Sequence, residues 1–185
     1  MSENVCVFID GSNFYKSCKS NLARTDVNLS AFASMLVGPT RHLVRTYYYT
    51  ARLAPGMDEA QKSGQQKFFN ALAKAPYFEL RLGRMVRRDD ECRDCGAKHE
   101  RWQEKGVDMR IGVDMLALAT KNNYDIAVLV TGDGDLCEAV QAVKDLGKHV
   151  ELATFPVGRS DELVRVCDVV TELTAGEMAG LYLRP

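Results

Sequence analysis

Asp133-Gly-Asp135 sets two carboxylates one residue apart directly after the apolar run Ile126-Ala-Val-Leu-Val130 and Thr131-Gly132. A second apolar run, Val5-Cys-Val-Phe-Ile9, stops in the same way at Asp10, followed by Gly11-Ser12-Asn13. Runs of this kind, with no polar alternation, read as strands buried on both faces, and open α/β sheets place their sites at the carboxyl ends of such strands. If the two strands are neighbours in one sheet, three carboxylates converge. At an effective dielectric near 20, two unit charges about 4 Å apart repel by roughly 4 kcal/mol. A divalent cation offsets that repulsion, and hard carboxylate oxygens with no histidine beside them suit Mg²⁺ or Mn²⁺ better than zinc.

Two further acids share one predicted helix, Val107–Asn122, whose apolar residues Val107, Ile111, Met115 and Leu118 recur at three and four. Asp108 falls in its first turn after Gly106 and is favoured there by the helix dipole even without an ion. Asp114 sits mid-helix among Ile111, Val113, Met115 and Leu116, where an acid needs a partner. Six residues carry the helix through about 600°, so the two acids lie roughly 120° apart and cannot both face one ion squarely. One then binds metal while the other positions a lysine, a backbone group or a water. Paired with Asp10, Asp133 and Asp135, such carboxylates can hold one or two cations for phosphodiester hydrolysis. Asn13 can donate to a phosphate oxygen or cap the following helix beside Ser12; Gly132 and Thr131 can offer backbone N–H groups.

Cations and rings suited to a nucleic acid are present. Arg52, Lys62 and Lys67 follow the carboxyl end of a predicted strand, and Lys105 precedes Asp108, where it could offset the acids or reach a phosphate. Tyr47-Tyr48-Tyr49 fits sheet-face packing better than a stacking platform. The stretch Cys92-x₂-Cys95-Gly-x₂-His99 has metal-ligand spacing but supplies three ligands. Structural Zn²⁺ would need a fourth, from Cys18, His42 or a second copy; a plain turn with free thiols and a redox pair are the other readings.

These residues need a scaffold, and the chain alternates strands and helices as a parallel sheet covered on both faces requires. Strands are expected near Val5–Asp10, His42–Tyr49, Phe78–Arg84, Ile126–Thr131, His149–Ala153 and Asp168–Glu172. Helices are expected near Asn13–Asn21, Leu29–Val37, Asp58–Ala75, Val107–Asn122, Asp133–Leu146 and Ser160–Val166, with a short one after Thr174. The result is α/β, a three-layer α/β/α sandwich around a central, mainly parallel sheet, as one domain over 1–185 with a charged loop insertion at about 87–103. At 185 residues and net charge −1 the chain has length for a full core but no overall basic field. No basic-apolar leader and no run near the ~20 apolar residues of a membrane span is visible, so a cytoplasmic protein with no membrane partner is expected.

The motifs Phe8-Ile-Asp-Gly-Ser-Asn13, Lys105-Gly-Val-Asp-Met-Arg-Ile-Gly-Val-Asp114 and Tyr124-Asp-Ile-Ala-Val-Leu-Val-Thr-Gly-Asp-Gly-Asp135 resemble, in order, those of the NYN domain in its bacterial LabA-like branch. The likeness continues through Leu146-Gly-Lys-His-Val150, Glu162-Leu163 and Cys167-Asp168. It implies a PIN-like nuclease fold related to flap nucleases, Mg²⁺ or Mn²⁺ on acidic residues, and RNA as substrate. Carried over by position, the acids are Asp10, Asp108, Asp133 and Asp135, with Asn13 after the first strand and Asp114 as an added candidate. A Toprim reading wants a glutamate where Asp10 stands, and a haloacid-dehalogenase-like phosphatase wants an aspartate where Ser12 stands. The expectation is a divalent-metal-dependent ribonuclease acting on single-stranded or flexible RNA, with Ser12, Arg52, Lys62 and Lys105 as substrate contacts. The alternative is a non-catalytic module on the same fold that binds RNA or protein, and either form can assemble as a homo-oligomer.

Overall fold

The computed structural model describes residues 2–91 and 98–183. Its strands are β1 (Asn4–Asp10), β2 (His42–Arg52), β3 (Phe78–Glu91), β4 (Lys98–Lys105), β5 (Ile126–Val130), β6 (His149–Thr154) and β7 (Val169–Glu172). They form one sheet in the order β4-β3-β2-β1-β5-β6-β7, parallel throughout except for the antiparallel β3–β4 pair. The helices are α1 (Gly11–Leu22), α2 (Leu29–Val37), α3 (Glu59–Leu72), α4 (Val107–Thr120), α5 (Cys137–Asp145) and α6 (Asp161–Val166).

Side chains of a strand alternate between faces, and β1 and β5 use both faces for apolar packing. Val5, Val7 and Ile9 of β1, with Ile126, Val128 and Val130 of β5, join the core beneath α1 and α2. Cys6, Phe8, Ala127 and Leu129 join the opposite core, against Ile111 and Met115 of α4, Val140 of α5 and Leu163 of α6. This is the expected three-layer arrangement, and it explains why both strands read as unbroken apolar runs. The tyrosine run splits the same way: Tyr48 enters the first core and Tyr47 and Tyr49 the second. They are packing residues, stacked and tilted against Phe8 and one another.

Three elements depart from expectation. The stretch read as a loop at Arg87–Gln103 is largely a β-hairpin, with Arg87 opposite Trp102 and Arg88 opposite Arg101. Arg87 is ion-paired to Glu100 across the ribbon and lies 3.6 Å from Asp89. A ribbon whose residues are charged on both faces shows no apolar alternation, the signal by which a strand is read. The helix expected at Asp133–Leu146 begins as a 3₁₀ turn, Gly134–Leu136, before α5. The segment after Thr174 is a set of turns, closed by Met178 N–H to Thr174 O at 3.0 Å.

Among the described residues no helix is long and apolar enough to cross a membrane.

Candidate active site

Since β1 and β5 pair in parallel up to Ile9 opposite Val130, Asp10 and Thr131 leave the sheet side by side at its carboxyl edge. Asp10 is 4% exposed and caps α1, its Oδ1 accepting from Asn13 N–H at 3.0 Å. Its Oδ2 accepts from the Thr131 hydroxyl at 3.2 Å. The same Thr131 oxygen accepts the Asp133 N–H at 3.1 Å, so one buried hydroxyl ties the two strand ends together. Asp133 in turn caps the 3₁₀ turn, accepting from Asp135 N–H at 3.0 Å. Asn13 Oδ1 accepts from Gly132 N–H at 2.9 Å, which consumes a backbone donor expected to be free for substrate.

Asp108, in the first turn of α4, completes the group from the other side of the sheet. Burial pushes its carboxyl above the ordinary value, and the charges of Asp133, Glu104 and Asp135 push it further in the same direction. Burial raises Asp10 to about 6, with Asp108 and Glu104 adding to the rise against the Asn13 amide and the Thr131 hydroxyl. The charges that push these two carboxyls upward are Glu104, Asp133 and Asp135, together with Asp108 acting on Asp10. Lys105, read as offsetting these acids or reaching a phosphate, ends β4 exposed to solvent.

Glu104 belongs to this group and escapes sequence reading. It sits in β4, opposite Met85, and accepts a short hydrogen bond on Oε2 from the Ser12 hydroxyl, while its buried Oε1 has no donor from the protein. The one available signal was its place four residues before Asp108; without β4 nothing indicated that it turns toward Asp10. Ser12, expected to touch substrate directly, donates its hydroxyl to Glu104.

Asp114 stands apart from the others. Its Oδ2 accepts from the Tyr49 hydroxyl at 3.1 Å and lies 3.3 Å from Arg81 Nε, so the partner that a half-buried acid requires is an arginine on β3, not an ion shared with Asp10. The 120° offset on α4 sends it to a different strand. Arg52 donates to Gln66 at 3.2 Å and lies over the Phe69 ring, and Lys62 is paired with Glu59 at 2.5 Å on α3. Cys92 and Cys95 lie outside the described residues; His99 is placed only as a backbone position of β4, opposite Asp90. Among the described residues no three His, Cys, Asp or Glu side chains are placed so that they could hold one metal ion. The donor set nonetheless fits a hard divalent cation chemically: carboxylate oxygens only, mutually repelling, with no protein cation among them.

The raised carboxyl of Asp10 makes a pH prediction for the metal-free protein. Its proton is released near 6 in the fold but near 3.8 when unfolded, so the native state holds the extra proton in that window. Stability then falls as pH rises from about 4 to about 7, by roughly 3 kcal/mol from Asp10 alone, with Asp108 acting in the same sense. Denaturation midpoints measured in EDTA across this range should show that fall, and Asp10→Asn should flatten it. An unchanged slope in the variant would remove Asp10 as its source.

A family model for the NYN domain matches residues 4–174, a span that contains every strand of the sheet and all the acids gathered at its edge. The chain is 28% identical over 152 residues to the Low amplitude and bright protein LabA of Synechococcus elongatus, covering 81% of this chain and 73% of that protein. Its fold is similar to the crystal structure of a Vibrio parahaemolyticus protein of unknown function, with TM-score 0.67, 20% identity and 94% of each chain covered. That structural likeness bears on fold alone; the family match, running from β1 to just past β7, places the chain in the NYN domain family.

Proposed function

We propose that this NYN domain is a Mg²⁺- or Mn²⁺-dependent ribonuclease that hydrolyses phosphodiester bonds of single-stranded or flexible RNA. The observation that carries the reading is the uncompensated negative charge around buried Asp10 and half-buried Asp108, joined through Thr131 to Asp133 at the end of the neighbouring strand. Carboxyls raised by burial and by one another's charge, gathered at the carboxyl edge of a parallel sheet, are characteristic of functional sites. Membership of a PIN-like nuclease family supports the same reading.

Asp10, Asp108 and Asp133 would hold the cation, with Asp135, exposed at the rim, as a further ligand or as an acceptor for an ordered water. A bound divalent ion would supply activation of the attacking water and neutralisation of charge developing on the phosphoryl oxygens. The protein's own part is positional. Thr131 fixes both carboxylates at once, and the caps on α1 and the 3₁₀ turn hold one oxygen of each. Asn13, with its Oδ1 held by Gly132, keeps Nδ2 as a donor for a phosphate oxygen. An open sheet edge admits an exposed backbone more readily than a paired one.

The test is incubation of the full chain with a panel of single-stranded and duplex RNAs, in Mn²⁺, in Mg²⁺ and in EDTA. Cleavage of the single strands in metal and none in EDTA is the expected result. Binding without cleavage in every metal would favour a regulatory module on the same fold.

A further inference from the structure

Next to the acidic group lies a cleft of about 850 Å³, walled by α1, α3, β2 and the β3–β4 hairpin. Three of its rings come from three different elements and are strongly exposed for their type: Tyr15 of α1 at 54%, Phe68 of α3 at 37% and Trp102 of β4 at 37%. Tyr48, buried, lines it from β2 and meets Phe68 edge-on at 5.3 Å between centroids. Ser12 and Glu104 also line it, and Glu104 is the residue whose charge reaches both Asp10 and Asp108. The aromatic cleft thus borders the acidic edge, with Ser12 and Glu104 between them.

We propose that this cleft binds an unpaired nucleobase of the RNA strand whose phosphate lies at the acidic group. The inference rests on the ribonuclease reading for its substrate class and adds how that substrate is held. Aromatic faces are the sequence-tolerant platform for single-stranded nucleic acid, because every base has a π-face to stack. The cleft has room for a nucleoside, and its mouth adjoins the position where the proposed function puts the backbone. Its demand for an extruded base selects single strands over duplex, since a paired base would first have to be unstacked. The hairpin that carries Trp102 is then a wall of the substrate site, which gives the charged ribbon a purpose.

Trp102 is the chain's only tryptophan, so its emission reports the cleft directly. A substitution can also close the cleft without disturbing the core. Gly64, on the α3 wall, has nothing within 4 Å of where a Cβ would stand, and leucine is the better helix former. The experiment titrates the full chain with a short adenine oligoribonucleotide in Ca²⁺, with an abasic ribose-phosphate strand of equal length as the second probe. Expected are saturable quenching of Trp102 by the adenine strand, affinity for the abasic strand about tenfold weaker or less, and a similar loss for the adenine strand in Gly64→Leu, whose melting temperature is not lowered. Equal affinity for the two strands, or wild-type affinity in Gly64→Leu, overturns the proposal. An emission change that follows protein concentration without RNA overturns it too, and puts a second copy in the cleft. Mn²⁺-dependent cleavage with no Trp102 response would sink the cleft alone. A Trp102 response with no cleavage in any metal would keep the cleft and sink the nuclease.

Discussion

Asp133→Asn is expected to lower Mn²⁺-dependent RNA cleavage by roughly 10²–10³-fold, about 3–4 kcal/mol of transition-state stabilisation, while leaving the fold intact. Asparagine keeps the oxygen that caps the 3₁₀ turn through Asp135 N–H and removes only the charge. It also removes one source of repulsion on Asp108, so the metal-free variant should melt no lower than the wild type. Initial rates on one single-stranded substrate, with melting curves in EDTA, measure both effects. Wild-type cleavage in the variant would take Asp133 out of the chemistry. A collapse in melting temperature would make it a structural cap and nothing more.

Gly132→Ala carries the largest expected cost to stability. A Cβ at that position would stand 2.4 Å from the Gly158 carbonyl oxygen and 3.2 Å from its carbon, and backbone atoms cannot swing aside as a side chain can. About 3 kcal/mol is the expected loss, at the high end for overpacking by one methyl. The displacement would be passed to Asn13, which accepts from Gly132 N–H, and to the adjoining Asp133, so activity should fall with stability. Gly134→Ala is the milder comparison: there the Cβ would stand 2.7 Å from Ser160 Oγ and 3.3 Å from its Cβ, so the hydroxyl must turn and give up the cap it makes with Leu163 N–H, at about 1 kcal/mol. Urea denaturation of the two variants should separate them by about 2 kcal/mol. Equal midpoints would mean that the loop around Gly158 yields and that the close approach is not rigid.

The parts of the fold legible in sequence are those where burial is one-signed. β1 and β5 lie mid-sheet with apolar side chains on both faces, so their runs and their ends at Asp10 and Thr131 could be read directly. The same logic hid β4. Its residues Lys98-His-Glu-Arg-Trp-Gln-Glu-Lys105 pair with another charged strand at the sheet's edge, and no face of it is wholly apolar. Glu104 was lost with it, since a carboxylate in an unrecognised strand has no readable direction. Asp114 shows the converse limit: its need for a partner was visible, but the choice between an ion and Arg81 depends on which strand α4 covers. Lys62 pairs with Glu59 and Arg52 with Gln66 on α3, surface contacts of the weak kind that a ligand phosphate can replace.

The central position of β1 also sets a schedule for synthesis. β1 is made before β5, one of its two sheet neighbours, and Asp10 meets Thr131 across 121 residues of chain. At translation rates of about 5–20 residues per second, the acidic edge is complete only some 6–24 s after Asp10 is polymerised. Throughout that interval Asp10 lacks the Thr131 hydroxyl that holds its Oδ2 in the finished fold. A sheet order that splits the site between an earlier strand and a later one makes the acidic edge a late product of synthesis, whatever else has folded before it.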